Sequence, residues 1–325
     1  MGGQNLAGPG GGLPPIPTWL TERAGVDYPV IGAPMFKITY EELAAAVSEA
    51  GGLGCLATTN YPTQESLDEA LERVRRLTRR PVGANLHLSE KFPWRESLRA
   101  CLRQEVKIII TSLGNPARVV EEVHAKGGTV LACVINLRQA RTAAQAGVDG
   151  LIAVGSGAGG HGGHISTMVL VPYLARETGL PVIAAGGVAT GSQLAAALAL
   201  GACGAVVGTR LIASTEAVAS PAYKRAVLEA SPEDIVCTDR VTGNPANWIA
   251  SSIQGVERPL AADSPAWKDL WSAGQSVAQT REIKGAKNIV EEIVEEYYRV
   301  VARLPGLDRA REGAGQPAST GEARG

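Results

Sequence analysis

The chain has 325 residues, 45% of them hydrophobic, and a formal net charge of -1, enough apolar length for one large α/β domain or two smaller ones. Nearly cancelling charge, with no basic stripe interleaved with aromatics, argues against a nucleic-acid partner, and no apolar run reaches membrane-spanning length. Five scattered cysteines, Cys55, Cys101, Cys133, Cys203 and Cys237, form no C-x-x-C pair and point to a reduced, cytoplasmic chain without zinc.

Residues 1–20 read as a flexible tail, rich in Gly and Pro. Leu6 stands where a myristoylation signal after Gly2 needs Ser or Thr, and the segment lacks the apolar core of a signal peptide. Beyond it, short apolar runs alternate with segments of i, i+3, i+4 spacing that often end in Gly. The predicted strands are Tyr28–Met35, Leu53–Ala57, Pro81–Leu88, Val106–Leu113, Thr129–Val134, Gly150–Gly155, Pro181–Gly187 and Gly204–Thr209. Eight βα units whose strands are apolar on both faces predict a closed (β/α)8 barrel over 21–215, with the doubly wound open sheet as the rival. A loop-rich insertion with little regular period follows over 216–261, at the end of strand eight where a lid would sit. The segment 262–304, helical from Trp267 to Leu304, is expected to pack on the barrel, and 305–325 is a second tail.

The stretch LIAVGSGAGGHGGHIS, Leu151 to Ser166, contains a formal G-x-G-x-x-G at Gly155, Gly157 and Gly160. As a dinucleotide fingerprint it fails on context, because the next strand ends in glycines and offers no carboxylate for a ribose. In a barrel the same loop lies at the C-terminal face, where barrel enzymes place their chemistry, and His161 projects from it. The ends of strands seven and eight carry Gly186, Gly187, Gly208 and Thr209, the position where barrels hold a phosphate on backbone N–H groups. FMN, with its single phosphate, suits that anchor.

Asn85 and His87 alternate onto one side near the end of strand three, where either could meet a ring or serve as a rim polar group. His124 lies among charged helix neighbours and reads as solvated. His164 follows His161 without metal-binding register, so no catalytic metal is expected.

Taken together, YPVIGAPM, AAAVSEAGGLGCL, PVGANL, AGGHGG, PVIAAGGVATG, ALGACGAVVGTRL and WSAGQ resemble the nitronate monooxygenase family, formerly 2-nitropropane dioxygenases, over Tyr28 to Val300. The resemblance implies an FMN-dependent TIM barrel that oxidises alkyl nitronates with O2 to a carbonyl compound and nitrite. It implies His161 as the catalytic residue and phosphate contacts from Gly186, Gly187, Gly208 and Thr209. The flavin ring would rest near Pro34, Met35 and Asn85, with Gly159 letting the loop backbone approach it and Gln275 reaching in from the C-terminal segment. Where relatives often carry Glu four residues before the histidine, and a polar residue three positions earlier, this chain has Gly157 and Val154. GGHGGHISTMVLV is also similar to flavin-dependent enoyl-acyl-carrier-protein reductases. The alternative is therefore an FMN enzyme that takes hydride from NAD(P)H to reduce enoyl thioesters or quinones; a non-catalytic flavin-binding barrel is the third class. A homodimer is compatible with all three.

Overall fold

The computed structural model describes residues 13–260, 264 and 268–304. Eight parallel strands, β1 (Val30–Gly32), β2 (Gly54–Ala57), β3 (Val82–His87), β4 (Ile108–Ser112), β5 (Thr129–Val134), β6 (Gly150–Val154), β7 (Val182–Ala185) and β8 (Gly204–Val207), form one sheet in the order β1-β8-β7-β6-β5-β4-β3-β2. Its edges meet through a parallel bridge between Ile31 and Leu53, which closes the ring. The fold is therefore the predicted (β/α)8 barrel. Pro29 and Pro34 cannot donate to a ladder, and β1 accordingly spans three residues rather than Tyr28–Met35.

Strand alternation divides the core in two. Ile31, Leu53, Cys55, Ile108, Ile110, Leu131, Ile152 and Ile183 fill the barrel, while Val30, Leu56, Ala84, Leu86, Ile109, Val130, Leu151 and Val182 face the helices. Burial pushes the Cys55 and Cys133 thiols up to about 12, so both act as uncharged packing groups.

Helices α2 (Glu41–Glu49), α3 (Gln64–Leu77), α4 (Trp94–Arg103), α5 (Ala117–Ala125), α6 (Leu137–Gln145), α7 (Thr167–Thr178) and α8 (Gly191–Ala199) follow strands β1 to β7 in turn. They are preceded by α1 (Trp19–Ala24), whose N-terminus Thr18 and Thr21 close with a reciprocal capping box. Leu20 and Ala24 of α1 join the barrel-interior core and plug its N-terminal end. A Cβ on Gly204 would fall 2.5 Å from Leu20 Cδ2, so the plug depends on a strand position without a side chain. The expected tail is thus shorter than 1–20. From Leu13 onward the chain packs: Ile16 is buried, and Tyr28 and Tyr298 hydroxyls donate to the Leu13 and Pro14 carbonyls at 2.9 and 2.8 Å. Four apolar side chains in a Pro-rich segment suffice because the barrel floor needs covering. The remainder of that tail, 1–12, and the C-terminal one, 305–325, lie outside the described residues.

After β8 only a four-residue helix, α9 (Thr209–Ile212), forms. The place of the eighth helix is taken by α11 (Ala286–Arg303), which packs its Ile289, Val290, Ile293 and Val294 face between α8 and α2. This helix is shorter than the predicted Trp267–Leu304. Trp267 lies outside the described residues, and Trp271–Gly285 runs without α-helix because its backbone is spent on other strands and loops, with a 3-10 turn at Gln275–Gln279. The insertion is also more regular than its sequence suggests. It holds α10 (Pro221–Glu229), capped by Ser220 with Pro at N1, and an antiparallel hairpin of β9 (Ile235–Thr238) and β10 (Ala246–Ile249). Strands of four residues are too short to show a period.

The α8–α11 contact is close. Glu296 accepts from the Gly191 and Ser192 amides at 3.1 and 3.3 Å, capping α8, and a Cβ on Gly191 would overlap the Tyr297 amide and the Ile293 carbonyl. Gly191→Ala is therefore expected to lower unfolding free energy by about 1–3 kcal/mol or to prevent folding; denaturant melts against the parent protein check this.

Candidate active site

The C-terminal mouth of the barrel gathers the loops after β1, β3, β6 and β8. On β3, alternation places Gly83, Asn85 and His87 on the inner face; a Cβ on Gly83 would meet Cys55 Sγ of the interior. Asn85 is buried beneath the mouth, its amide 3.3 Å from Ser112 Oγ. His87 pairs in register with Ser112 at the rim, and its ring lies 4.7 Å from that of Phe92, which in turn meets Phe36 at 6.5 Å. These are the chain's two phenylalanines, and they form one wall of the mouth with His87.

The opposite wall is the loop between β6 and α7, and it is held from outside by backbone pairing. Asn247 of β10 donates its amide to Gly160 O at 2.9 Å and its side-chain Nδ2 to Ser156 O and Ala158 O at 2.8 and 2.6 Å. The Gln275 amide donates to Gly157 O at 3.0 Å, and the Gly274 amide to Thr209 Oγ1 at 2.9 Å. A Cβ on Gly159 would stand 3.0 Å from the Ala273 carbonyl carbon and Gly274 N. Gly159 thus makes room for the Ala273–Gly274 backbone. Gly186, at φ +103°, packs its α-carbon against Ala158 in the same way.

Gly187 differs. It has φ +82° and no atom within 4 Å of the position a Cβ would take, and among the described residues no protein acceptor takes the amides of Gly187, Gly208 or Thr209. Gly208 lies across from Ala33 Cβ and Met35 Sδ, at 3.4 and 3.9 Å from where its Cβ would be. These amides without a protein acceptor are candidates for an anion cradle, since buried N–H groups otherwise find partners. The residue set fits a phosphate there. Met35 borders Gly208 from the loop after β1, with Thr39 Oγ1 accepting from the Met35 amide at 3.1 Å.

His161 stands on the glycine loop with its Nε2 3.0 Å from Thr242 Oγ1, at the tip of the β9–β10 hairpin. The Thr242 hydroxyl donates to Asn244 O at 2.9 Å, so its oxygen accepts from the histidine. This assigns the proton to Nε2 and leaves Nδ1 as the basic atom. The residue keeps an exposed edge, yet loss of water around the ring lowers its pKa from the usual 6.5, favouring the neutral form. Gln275 is exposed, and its Oε1 lies 3.6 Å from where a Gly157 side chain would begin, so a polar group occupies the region that a loop carboxylate would enter. Val154 packs with the barrel interior.

The structure therefore brings His161, Gly159, Gly186, Gly187, Gly208, Thr209 and Gln275 into one connected arrangement, with Met35 beside Gly208 and Asn85 below. Asn247 and Thr242, which organise it, escape sequence reasoning; the available signal was the apolar NWI run in an otherwise polar insertion. His124 is remote: it hydrogen-bonds Asp149 at 2.8 Å. Among the described residues no group of three or more His, Cys, Asp or Glu could hold a metal, and no helix is long and apolar enough to cross a membrane.

The closed ring of eight parallel strands, with unpaired amides after β7 and β8 and a loop histidine at its mouth, defines the chain as a TIM-barrel protein. The chain belongs to the nitronate monooxygenase family, whose model matches residues 18–95 and 87–264. It is 33% identical to the (3aS,4S,5R,7aS)-5-hydroxy-7a-methyl-1-oxo-octahydro-1H-indene-4-carboxyl-CoA dehydrogenase of Mycobacterium tuberculosis over 70% of this chain; the chain spans 64% of that relative's length. It is 31% identical to the nitronate monooxygenase of Paraburkholderia phytofirmans, over 80% of this chain and 84% of that protein. Among solved structures, FabK from Thermotoga maritima superposes with a TM-score of 0.80 at 32% identity, covering 90% of this chain and 99% of that one.

Asn247→Ala leaves the Ser156 and Ala158 carbonyls without their donor and is expected to destabilise the protein by about 1–3 kcal/mol. Amide exchange over 155–165 should accelerate in the variant while the barrel strands stay protected.

Proposed function

We propose that the chain is an FMN-dependent enzyme oxidising alkyl nitronates, and their parent nitroalkanes, with O2. The reading rests on one observation: a histidine of fixed tautomer, His161, stands on the loop that packs against Gly186, beside the unpaired amides of Gly187, Gly208 and Thr209. The amides of Gly187, Gly208 and Thr209 would hold the FMN phosphate, Gly186 shapes the turn, and Pro34, Met35 and Asn85 would border the ring. FMN held there would supply the acceptor for the nitronate's electrons, with O2 as the terminal oxidant and a carbonyl compound and nitrite as products.

The protein's own work is acid–base and electrostatic. His161 Nδ1 takes the proton from the α-carbon of a neutral nitroalkane, and the resulting imidazolium offsets the nitronate's charge. Thr242 keeps the ring in the tautomer that makes this possible. Gln275 projects from the segment paired with Gly157. The 216–261 insertion acts as a lid anchored at Asn247, with its hairpin tip reaching His161.

A second reading follows from the likeness to FabK and to a carboxyl-CoA dehydrogenase: reduction of an enoyl thioester or quinone with hydride from NAD(P)H at the same mouth. The nitronate reading is preferred because the family model and the Paraburkholderia relative carry that name.

Nitrite release from 2-nitropropane is the test. It should fall to background in His161→Ala. In the parent protein kcat/KM for the neutral nitroalkane should rise with pH and level off, because the base works unprotonated; the midpoint should lie below 6.5, the direction set by desolvation of His161. No nitrite from any small nitronate would overturn the reading.

A further inference from the structure

His87 plays no part in the mechanism above, yet it is the other imidazole at the mouth. Strand parity points it inward on the same face as Asn85, above the ladder pair with Ser112. The Ser89 amide donates to its Nδ1 at 3.4 Å, a long contact whose polarity leaves the proton on Nε2. Burial lowers its pKa, and His161 and Lys91 lower it further by charge repulsion, so the two imidazoles lie within electrostatic reach. His87 is therefore a neutral hydrogen-bond donor and His161 a neutral base across one mouth. Beside His87 stands the Phe92–Phe36 wall, with Phe36 50% exposed, a large apolar surface left open at the entrance.

We propose that His87 is a second substrate-binding residue: its Nε2–H donates to a nitro oxygen of the bound nitronate while Phe92 and Phe36 receive the alkyl group. The inference rests on the nitronate reading for the identity of the anion. Its geometry requires only a small anion or polarised oxygen with an apolar substituent. Because the donor holds the oxygen before and after the proton leaves carbon, its loss should act mainly on binding.

The test compares the parent protein with His87→Phe, which keeps the aromatic wall and removes the donor, and His87→Gln, whose amide nitrogen reaches about where Nε2 stood. With propyl-2-nitronate, KM should rise about tenfold or more in His87→Phe with kcat within about threefold, and return toward the parent value in His87→Gln. An unchanged KM in His87→Phe, or a loss that glutamine fails to restore, overturns the proposal. Should His87→Phe not fold by circular dichroism, His87→Met takes its place.

Butyrate, a two-oxygen anion on a propyl chain, is titrated into the same proteins by calorimetry. Binding that weakens in the apolar variant and recovers with glutamine upholds the donor even if no nitronate is turned over, which separates this inference from the functional reading. No butyrate binding to the parent protein, or equal affinity in all variants, overturns it.

Discussion

The Asn247 side chain, donating to the carbonyls of Ser156 and Ala158 while its own amide meets Gly160, is the contact on which the mouth depends. A loop of glycines has the largest conformational entropy to lose on ordering and no side chains with which to hold itself. Its few internal bonds, Ser156 N–H to Ile165 O, Ala158 N–H to Gly155 O and Gly163 N–H to Val154 O, are supplemented from outside by β10 on one flank and Ala273–Gln275 on the other. The absence of side chains is what admits these backbones so closely. The catalytic candidate, His161, inherits its position from this arrangement rather than from the strand that precedes it.

The same division of labour runs through the barrel. Strands β1 to β8 provide a rigid ring whose interior is apolar and whose floor is sealed by Leu20, so polar groups converge at the C-terminal end alone. The helix after β8 begins at Thr209, so among the described residues the amides of Gly208 and Thr209 have no protein acceptor, while α11 covers the barrel's flank and Glu296 caps α8.

The barrel was legible because it rests on repetition: eight apolar runs, each followed by a helical period, survive errors at individual boundaries. Its glycine and histidine loop was legible because the context excluded a Rossmann unit. What escaped was contact between distant segments. Nothing local in Asn247 announces that it binds a loop ninety residues earlier, and nothing in Gly159 tells a ligand's approach from that of Ala273. The helix expected from Trp267 begins only at Ala286 because the backbone before it pairs with Gly157 and Ser214, and such pairing leaves no apolar period. Leu13 to Leu20 looked like tail because four apolar side chains repay ordering only once a barrel floor exists to receive them.

The central claim, that this mouth takes electrons from a nitronate, is tested most directly without oxygen. The purified protein, loaded with FMN, is mixed anaerobically with propyl-2-nitronate in one cell and with NADH or NADPH in another, and flavin absorbance is followed in time. Rapid bleaching by the nitronate with no nicotinamide present is the predicted result. Rapid bleaching by the nicotinamide with an inert nitronate would contradict the account and assign the site to reduction of thioesters or quinones.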